Sequence, residues 1–147
     1  MASCMGKFYR LYFLWKERLA VPSSKSRPAA KPDSAAVVTK AALRAATHLG
    51  MTNKVLAAVI GLSEATVSRM RAGEYALQPD QKSFELALLF VRFYRSLDAI
   101  VGGDDAVASA WLKNRNTLLA SEPVALIQTV PGLMNVIQYL DARRAVI

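Results

Sequence analysis

From Asp33 onward apolar residues recur every three to four positions, and Gly and Pro punctuate the pattern. That period predicts helices rather than strands. The first covers "AAVVTKAALRAATHL", residues 35–49, with Asp33 or Ser34 as N-cap and Gly50 as a left-handed stop. His48 falls in its last turn, where a helix C-terminus favours a cation, and so reads as a capping residue rather than a catalyst. A second helix is predicted over about 52–60, then a turn at Gly61, then a third helix from Ser63 to about Arg71 closed by Gly73.

A long helix follows from about Asp80 to Val101, ended by Gly102 and Gly103. Its apolar residues fall on two stripes, Phe84, Leu88, Val91 and Tyr94 on one, Leu86, Leu89, Phe93, Leu97 and Ile100 on the other. A helix apolar on two sides is buried between layers or pairs with a second chain. It is therefore expected to be the spine that joins the two halves and a candidate dimer surface. Three shorter helices are predicted at about 104–113, 122–129 and 132–143, with Pro123 in a first turn and Pro131–Gly132 forcing a break. No strand-like alternation persists, so the expected fold class is all-α: a helical N-terminal module joined by the long helix to a smaller helical one.

Charge divides the chain differently. Of the net +8, residues 1–34 carry +5 and residues 35–73 carry +4, whereas residues 74–147 carry −1. A polyanion is the expected partner of the first half, and the second half needs another explanation. Residues 1–34 read as a basic leader. "GKFYRLYFLWKERL" mixes aromatic and basic residues and is open to three readings: a weak membrane-surface helix, a secretory signal too short and too charged in its apolar stretch, or a leader that touches DNA or nothing. "AVPSSKSRPAAKPDS", with three prolines and four serines, reads as an extended linker. The remaining divisions are 35–79, 80–103 and 104–147.

Little in the composition points to catalysis or metal binding. Cys4 and His48 are the only residues of their types, so neither an internal disulfide nor a zinc site of Cys and His can form. No apolar run reaches the roughly 18 residues of a membrane-spanning helix. No nucleophile–base pair, paired carboxylates or Gly-rich phosphate loop is present, and Asp104–Asp105 reads as a helix start. The expected protein is a cytoplasmic binding protein, not an enzyme, without cofactor, metal or membrane partner.

"LAAVIGLSEATVSRMRAG", residues 56–73, holds what a helix-turn-helix requires. Ala57 is small where two helices cross, Gly61 makes the turn, and Val55, Ile60, Leu62, Val67 and Met70 are placed to fix the angle. Ser63 suits the N-cap of the following helix, whose exposed face would show Glu64, Ala65, Ser68 and Arg69. Early recognition-helix residues reach base edges and flanking ones hold phosphate, so Ser68 and Arg69 are base or phosphate candidates and Thr66 and Arg71 phosphate candidates. Lys54 and Ser63 complete the candidate DNA-binding set with Glu64, which can read cytosine. The ordered pattern A-x-x-x-G-L-S-x-x-T-V-S-R-x-R-x-G resembles the Xre (Cro/C1-type) repressor helix-turn-helix. Where family members often carry Gln early in that helix, this chain has Glu64 and Ala65.

In "AWLKNRNTLLASEPVALIQTVPGLMNVIQYLDARR", residues 110–144, Trp111 is an anchor expected to pack against Leu112, Leu118 and Leu119, and Asn114 and Asn116 suit the turn that follows. Trp111, Leu112, Asn114 or Asn116, Leu118, Pro123, Gly132 and the closing amphipathic helix through Val136, Ile137 and Leu140 follow an order that resembles the C-terminal toxin-binding domain of Xre/MbcA/ParS antitoxins. The resemblance spans about residues 35–147. Two departures stand out: "LASEP" replaces the Gly residues that the family commonly has before the Pro, and the chain stops at "DARRAVI".

That resemblance implies an antitoxin that neutralises a RES-domain toxin, an ADP-ribosyltransferase-like enzyme that depletes NAD, by covering its active-site entrance. It implies in addition that the complex represses its own operon on double-stranded operator DNA, as a homodimer within a higher-order toxin–antitoxin complex. The candidate toxin-binding residues are Trp111, Asn114, Asn116, Gln138, Arg143, Arg144, Val146 and Ile147. Arg143 and Arg144 could pair with acidic residues at the toxin's rim while Ala145, Val146, Ile147 and the terminal carboxylate enter its cleft. Alternatively, the two arginines finish a helix favourably and the tail frays. The competing reading of the whole chain is a stand-alone dimeric repressor whose C-terminal half only dimerises or senses.

Overall fold

A computed structural model describes residues 33–145, and the expectations for the leader before Asp33 and for Val146 and Ile147 lie outside the described residues. These residues form seven α-helices and no strand: α1 Ser34–His48, α2 Asn53–Ile60, α3 Glu64–Ala72, α4 Lys82–Val101, α5 Asp105–Lys113, α6 Pro123–Leu126 and α7 Val130–Arg144. The fold is all-α, with a helix-turn-helix in front of a helical C-terminal domain.

Local chemistry sets most of the helix starts, because the first backbone N–H groups of a helix need acceptors that the helix cannot supply. Asp33 accepts from the Ala35 N–H at 3.2 Å, Thr52 from Val55 at 3.3 Å and Ser63 from Thr66 at 3.1 Å. Asp104 takes both the Ala106 and Val107 N–H groups, at 2.9 and 3.1 Å, and Thr129 takes that of Gly132 at 3.2 Å. At the other ends, Gly61, Gly73 and Gly102 lie in the left-handed region with φ of 70°, 79° and 68°.

α4 is the spine, but its buried face is not the one that two stripes describe. Ser83, Ala87, Phe90, Phe93, Ser96 and Leu97 are buried. Leu88 is exposed, and Phe84, Leu86, Leu89, Val91, Tyr94 and Ile100 are half-buried shoulders. Phe90, absent from both stripes, sits at the centre of the seam because it lies between them on the helical wheel. The more extensive packing of α4 is against α7, followed by α1 and then α2. Leu49, Leu56, Ile60 and Val67 from the helix-turn-helix, Phe90, Phe93 and Leu97 from α4, and Leu112, Leu133, Ile137 and Leu140 from the C-terminal helices belong to one continuous core.

Three polar contacts fasten this core. The buried Thr39 donates to Ala35 O at 2.6 Å and accepts from the Leu77 N–H at 2.9 Å, which pins the loop after α3 to α1. Ser96 Oγ and Arg92 Nη2 donate to Asp141 at 2.9 and 2.8 Å and so tie α4 to α7. His48 is in the last turn of α1, as expected, and its Nδ1 lies 2.6 Å from Asp105 Oδ2 in the first turn of α5, with its ring stacked 5.8 Å from Tyr94.

Two C-terminal expectations are corrected. The helix expected over 122–129 is a single turn, Pro123–Leu126, and the break lies at Ile127–Thr129 rather than at Pro131–Gly132. Pro131 instead sits in the first turn of α7, where its missing N–H costs nothing. Gly132 is required there by proximity, since a Cβ would fall on the carbonyl of Leu126.

Candidate DNA-reading and partner-binding faces

α2 and α3 meet across a short turn closed by the left-handed Gly61, whose N–H returns to Ala57 O. Ala57, Ile60, Val67 and Met70 are buried at the crossing, with Val55 and Leu62 half-buried beside them. This arrangement leaves Glu64, Ala65, Ser68 and Arg69 exposed on α3, as the spacing requires of a helix that enters a groove. Lys54 is exposed in the first turn of α2.

The polar side chains of this face are already organised. Ser63 Oγ and Thr66 Oγ1 are 2.8 Å apart, and Arg69 Nη2 donates to Thr66 Oγ1 at 3.2 Å. Ser63 and Thr66 therefore spend part of their hydrogen-bonding capacity capping α3 and orienting Arg69. Arg71 is held by two acceptors on other helices, Asn53 Oδ1 at 2.6 Å from Nε and Thr47 Oγ1 at 3.3 Å from Nη1. The anchor on α1 is not evident from sequence, because Thr47 is 24 residues away. Neither Arg69 nor Arg71 is in an ion pair among the described residues.

The C-terminal candidates gather around Tyr139, a residue that sequence reasoning did not single out. Its ring stacks on Trp111 with centroids 6.4 Å apart, and the Arg143 guanidinium lies 5.1 Å above the Tyr139 ring. Asn116 Nδ2 donates to the Tyr139 hydroxyl at 3.2 Å. Three separate candidates, Trp111, Asn116 and Arg143, are thus one cluster built from α5, the following loop and α7. Tyr139 follows Gln138 and precedes the buried Leu140, and only its half-buried position marks it out.

Asn116 also organises its own loop. Its Oδ1 accepts from the Leu118 and Leu119 N–H groups at 3.0 and 3.2 Å, and its N–H donates to Ser121 O at 3.0 Å. This lock turns Leu118 outward to 68% exposure, so Leu118 does not pack under Trp111 as its spacing suggests. The same loop puts Ala120 at φ 57°, the one non-glycine residue with positive φ among the described residues. Asn114 caps the end of α5, and Gln138 and Arg144 are exposed near the end of α7. Asp141, one turn before, has a carboxyl held below the usual carboxylate range by the hydrogen bonds from Ser96 and Arg92, against a smaller desolvation effect.

No group of three or more His, Cys, Asp or Glu that could hold a metal occurs among the described residues. No described helix is long and apolar enough to cross a membrane.

The fold is that of a helix-turn-helix protein with an appended helical domain. Residues 28–92 match the antitoxin Xre-like helix-turn-helix domain, and residues 96–145 match the antitoxin Xre/MbcA/ParS C-terminal toxin-binding domain. In this order the two matches support a type II antitoxin of the Xre type that binds DNA and a toxin. No curated protein matches the chain.

Proposed function

We propose that this protein neutralises a RES-domain toxin, an NAD-depleting enzyme, by covering its active site, and represses its own operon through the helix-turn-helix. The observation that carries the reading is the coincidence of the toxin-binding match, residues 96–145, with the Trp111–Tyr139–Arg143 cluster and the outward-facing Leu118 beside it. Aromatic and Arg side chains next to an exposed aliphatic residue have the make-up of a binding hot spot. Residues 35–79 act as the DNA reader, 80–103 as the connector and 104–147 as the toxin-binding region. Arg143, Arg144, Val146 and Ile147 reach the toxin's rim and cleft. Gln138 and Asn114 lie on the periphery of that contact, and Asn116 acts through the loop that it holds.

DNA is read by Ser68 and Arg69, with Glu64 at the start of the recognition helix and Lys54, Ser63, Thr66 and Arg71 on phosphate. A homodimer places two such helices on a palindrome, and toxin binding builds the higher-order complex. Both matched domains belong to regulatory proteins, which fits a cytoplasmic binding role without catalysis.

The test is co-expression of the full chain with the product of the neighbouring reading frame, scored by growth and co-purification. The full chain should rescue growth and retain its partner. Deletion of residues 143–147 should abolish rescue and leave DNA binding and helical content intact. If no neighbour is toxic and none is retained, the chain is a stand-alone dimeric repressor instead.

A further inference from the structure

Beside the recognition helix lies a second basic concavity that the base-reading face does not account for. It has a volume of about 340 Å³ and is lined by Lys40, Leu43, Arg44, Thr47 and His48 of α1 and by Arg71 of α3. Lys40, Arg44 and Thr47 recur at helical spacing, so they form one stripe along α1. Lys40 and Arg44 are exposed, and neither they nor Arg71 is in an ion pair among the described residues. No carboxylate lines the concavity, and His48 at its edge is engaged with Asp105.

Arg71 is the organising group. With Nε on Asn53 and Nη1 on Thr47, its guanidinium is fixed in place and Nη2 has no protein acceptor among the described residues. A fixed arginine with an unused donor, sharing its concavity with the two exposed cations Lys40 and Arg44 and with no carboxylate in the lining, suits a tetrahedral phosphate. Leu43 contributes the apolar floor. From Lys40 to Thr47 the helix rises about 10 Å at about 1.5 Å per residue. Measured along a duplex axis, that length corresponds to about three steps between successive phosphates of one DNA strand, at about 3.4 Å each.

We propose that Lys40, Arg44 and Arg71 form a phosphate seat on α1, which takes the DNA backbone alongside the segment whose bases α3 reads. The inference rests on the DNA-binding reading and extends its footprint from the helix-turn-helix proper to the helix before it. The seat adds affinity but no base preference, because it meets only backbone.

The test uses the full chain and two duplexes, one carrying the DNA immediately upstream of its reading frame and one with the same base composition scrambled. Affinity is measured against salt for the wild type, Lys40→Gln and the double variant Lys40→Gln/Arg44→Gln, with circular dichroism to confirm helical content. The slope of log K on log salt should shrink by about 0.9 for the single variant and about 1.8 for the double variant, on both duplexes. The ratio between duplexes should stay unchanged. Unaltered slopes in a folded variant that still binds would overturn the seat and leave the DNA reading standing. Absence of salt-dependent binding by the wild type to either duplex would remove the DNA reading and this inference with it. Pyrophosphate supplies the remaining arm. If it raises the melting temperature of the wild type but not of the double variant, while the DNA slopes do not differ, the concavity takes a free anion and not the DNA backbone.

Discussion

At the scale of single residues, the clearest conflict between side chain and backbone is Ala120. An alanine at φ 57° brings its Cβ against the following carbonyl, at a cost of about 1–2 kcal/mol. The loop imposes that conformation through the three hydrogen bonds of Asn116 to its neighbours. Ala120→Gly should therefore raise stability by about 1 kcal/mol, offset in part by the greater freedom of glycine in the unfolded chain. A urea titration gives the answer, since the midpoint should move up with the slope unchanged. Ala120 lies within "LASEP", the segment in which glycine would enter the left-handed region without strain. Sequence spacing exposes the anomaly of composition but not its geometry, because φ at Ala120 is dictated by Asn116 and Ser121 from either side.

Among the elements, helix ends were legible as far as α5, whereas the end of α6, the start of α7 and the buried face of α4 were not. Asp33, Thr52, Ser63, Asp104 and Thr129 cap their helices through contacts two or three residues away, which a linear reading captures when the right side chain is present. The buried seam of α4 depends on which neighbours arrive: Phe93 and Leu97 of one expected stripe are buried together with Phe90 beside them, while the other stripe stays half-buried or exposed. Residues such as Ser83 and Ser96 are buried there despite their polarity, and Ser96 is satisfied by Asp141 of α7, 45 residues away. That α4–α7 tie carries a pH signature. The carboxyl of Asp141 titrates below its ordinary value of about 3.9, so its contribution is present above that pH and is lost as pH falls through the lower folded-state value. Thermal melts between pH 5 and pH 2 should show a steeper loss of stability for the wild type than for Asp141→Asn. Parallel curves would mean that the Ser96 and Arg92 contacts do not hold in solution.

For the whole molecule, the helix-turn-helix and the C-terminal helices are built on one core. The exposure of Glu64, Ala65, Ser68 and Arg69 on α3 and the Ser63 cap were legible because both follow a local pattern. The Tyr139 cluster was legible only in its members, since Trp111, Asn116 and Arg143 come together on Tyr139 across α5, a loop and α7. Leu112, Leu133, Ile137 and Leu140 are fully or almost fully buried in the same cluster as Phe93 and Leu97 of α4. Burying such a side chain contributes about 1.5–3 kcal/mol, and whole domains are stable by only about 5–15 kcal/mol. Residues 1–103 alone should therefore lose the helix-turn-helix along with the removed helices, seen as low helical content and rapid digestion by a nonspecific protease. A cooperatively melting fragment of that length would show that the N-terminal helices hold themselves together.

This shared core makes the lifetime of the DNA reader depend on events at the far end of the chain. A partner bound only to the folded protein at one hundred times its dissociation constant adds about 2.7 kcal/mol to the unfolding free energy. Because α4 serves both halves, that increment protects the helix-turn-helix as fully as the face where the partner sits. When opening is fast relative to cleavage, proteolysis follows the population of unfolded chain, so the partner-free protein is the form cleared first. The abundance of the chain is then set by whether a partner occupies its C-terminal domain, with no signal needing to pass between the two domains.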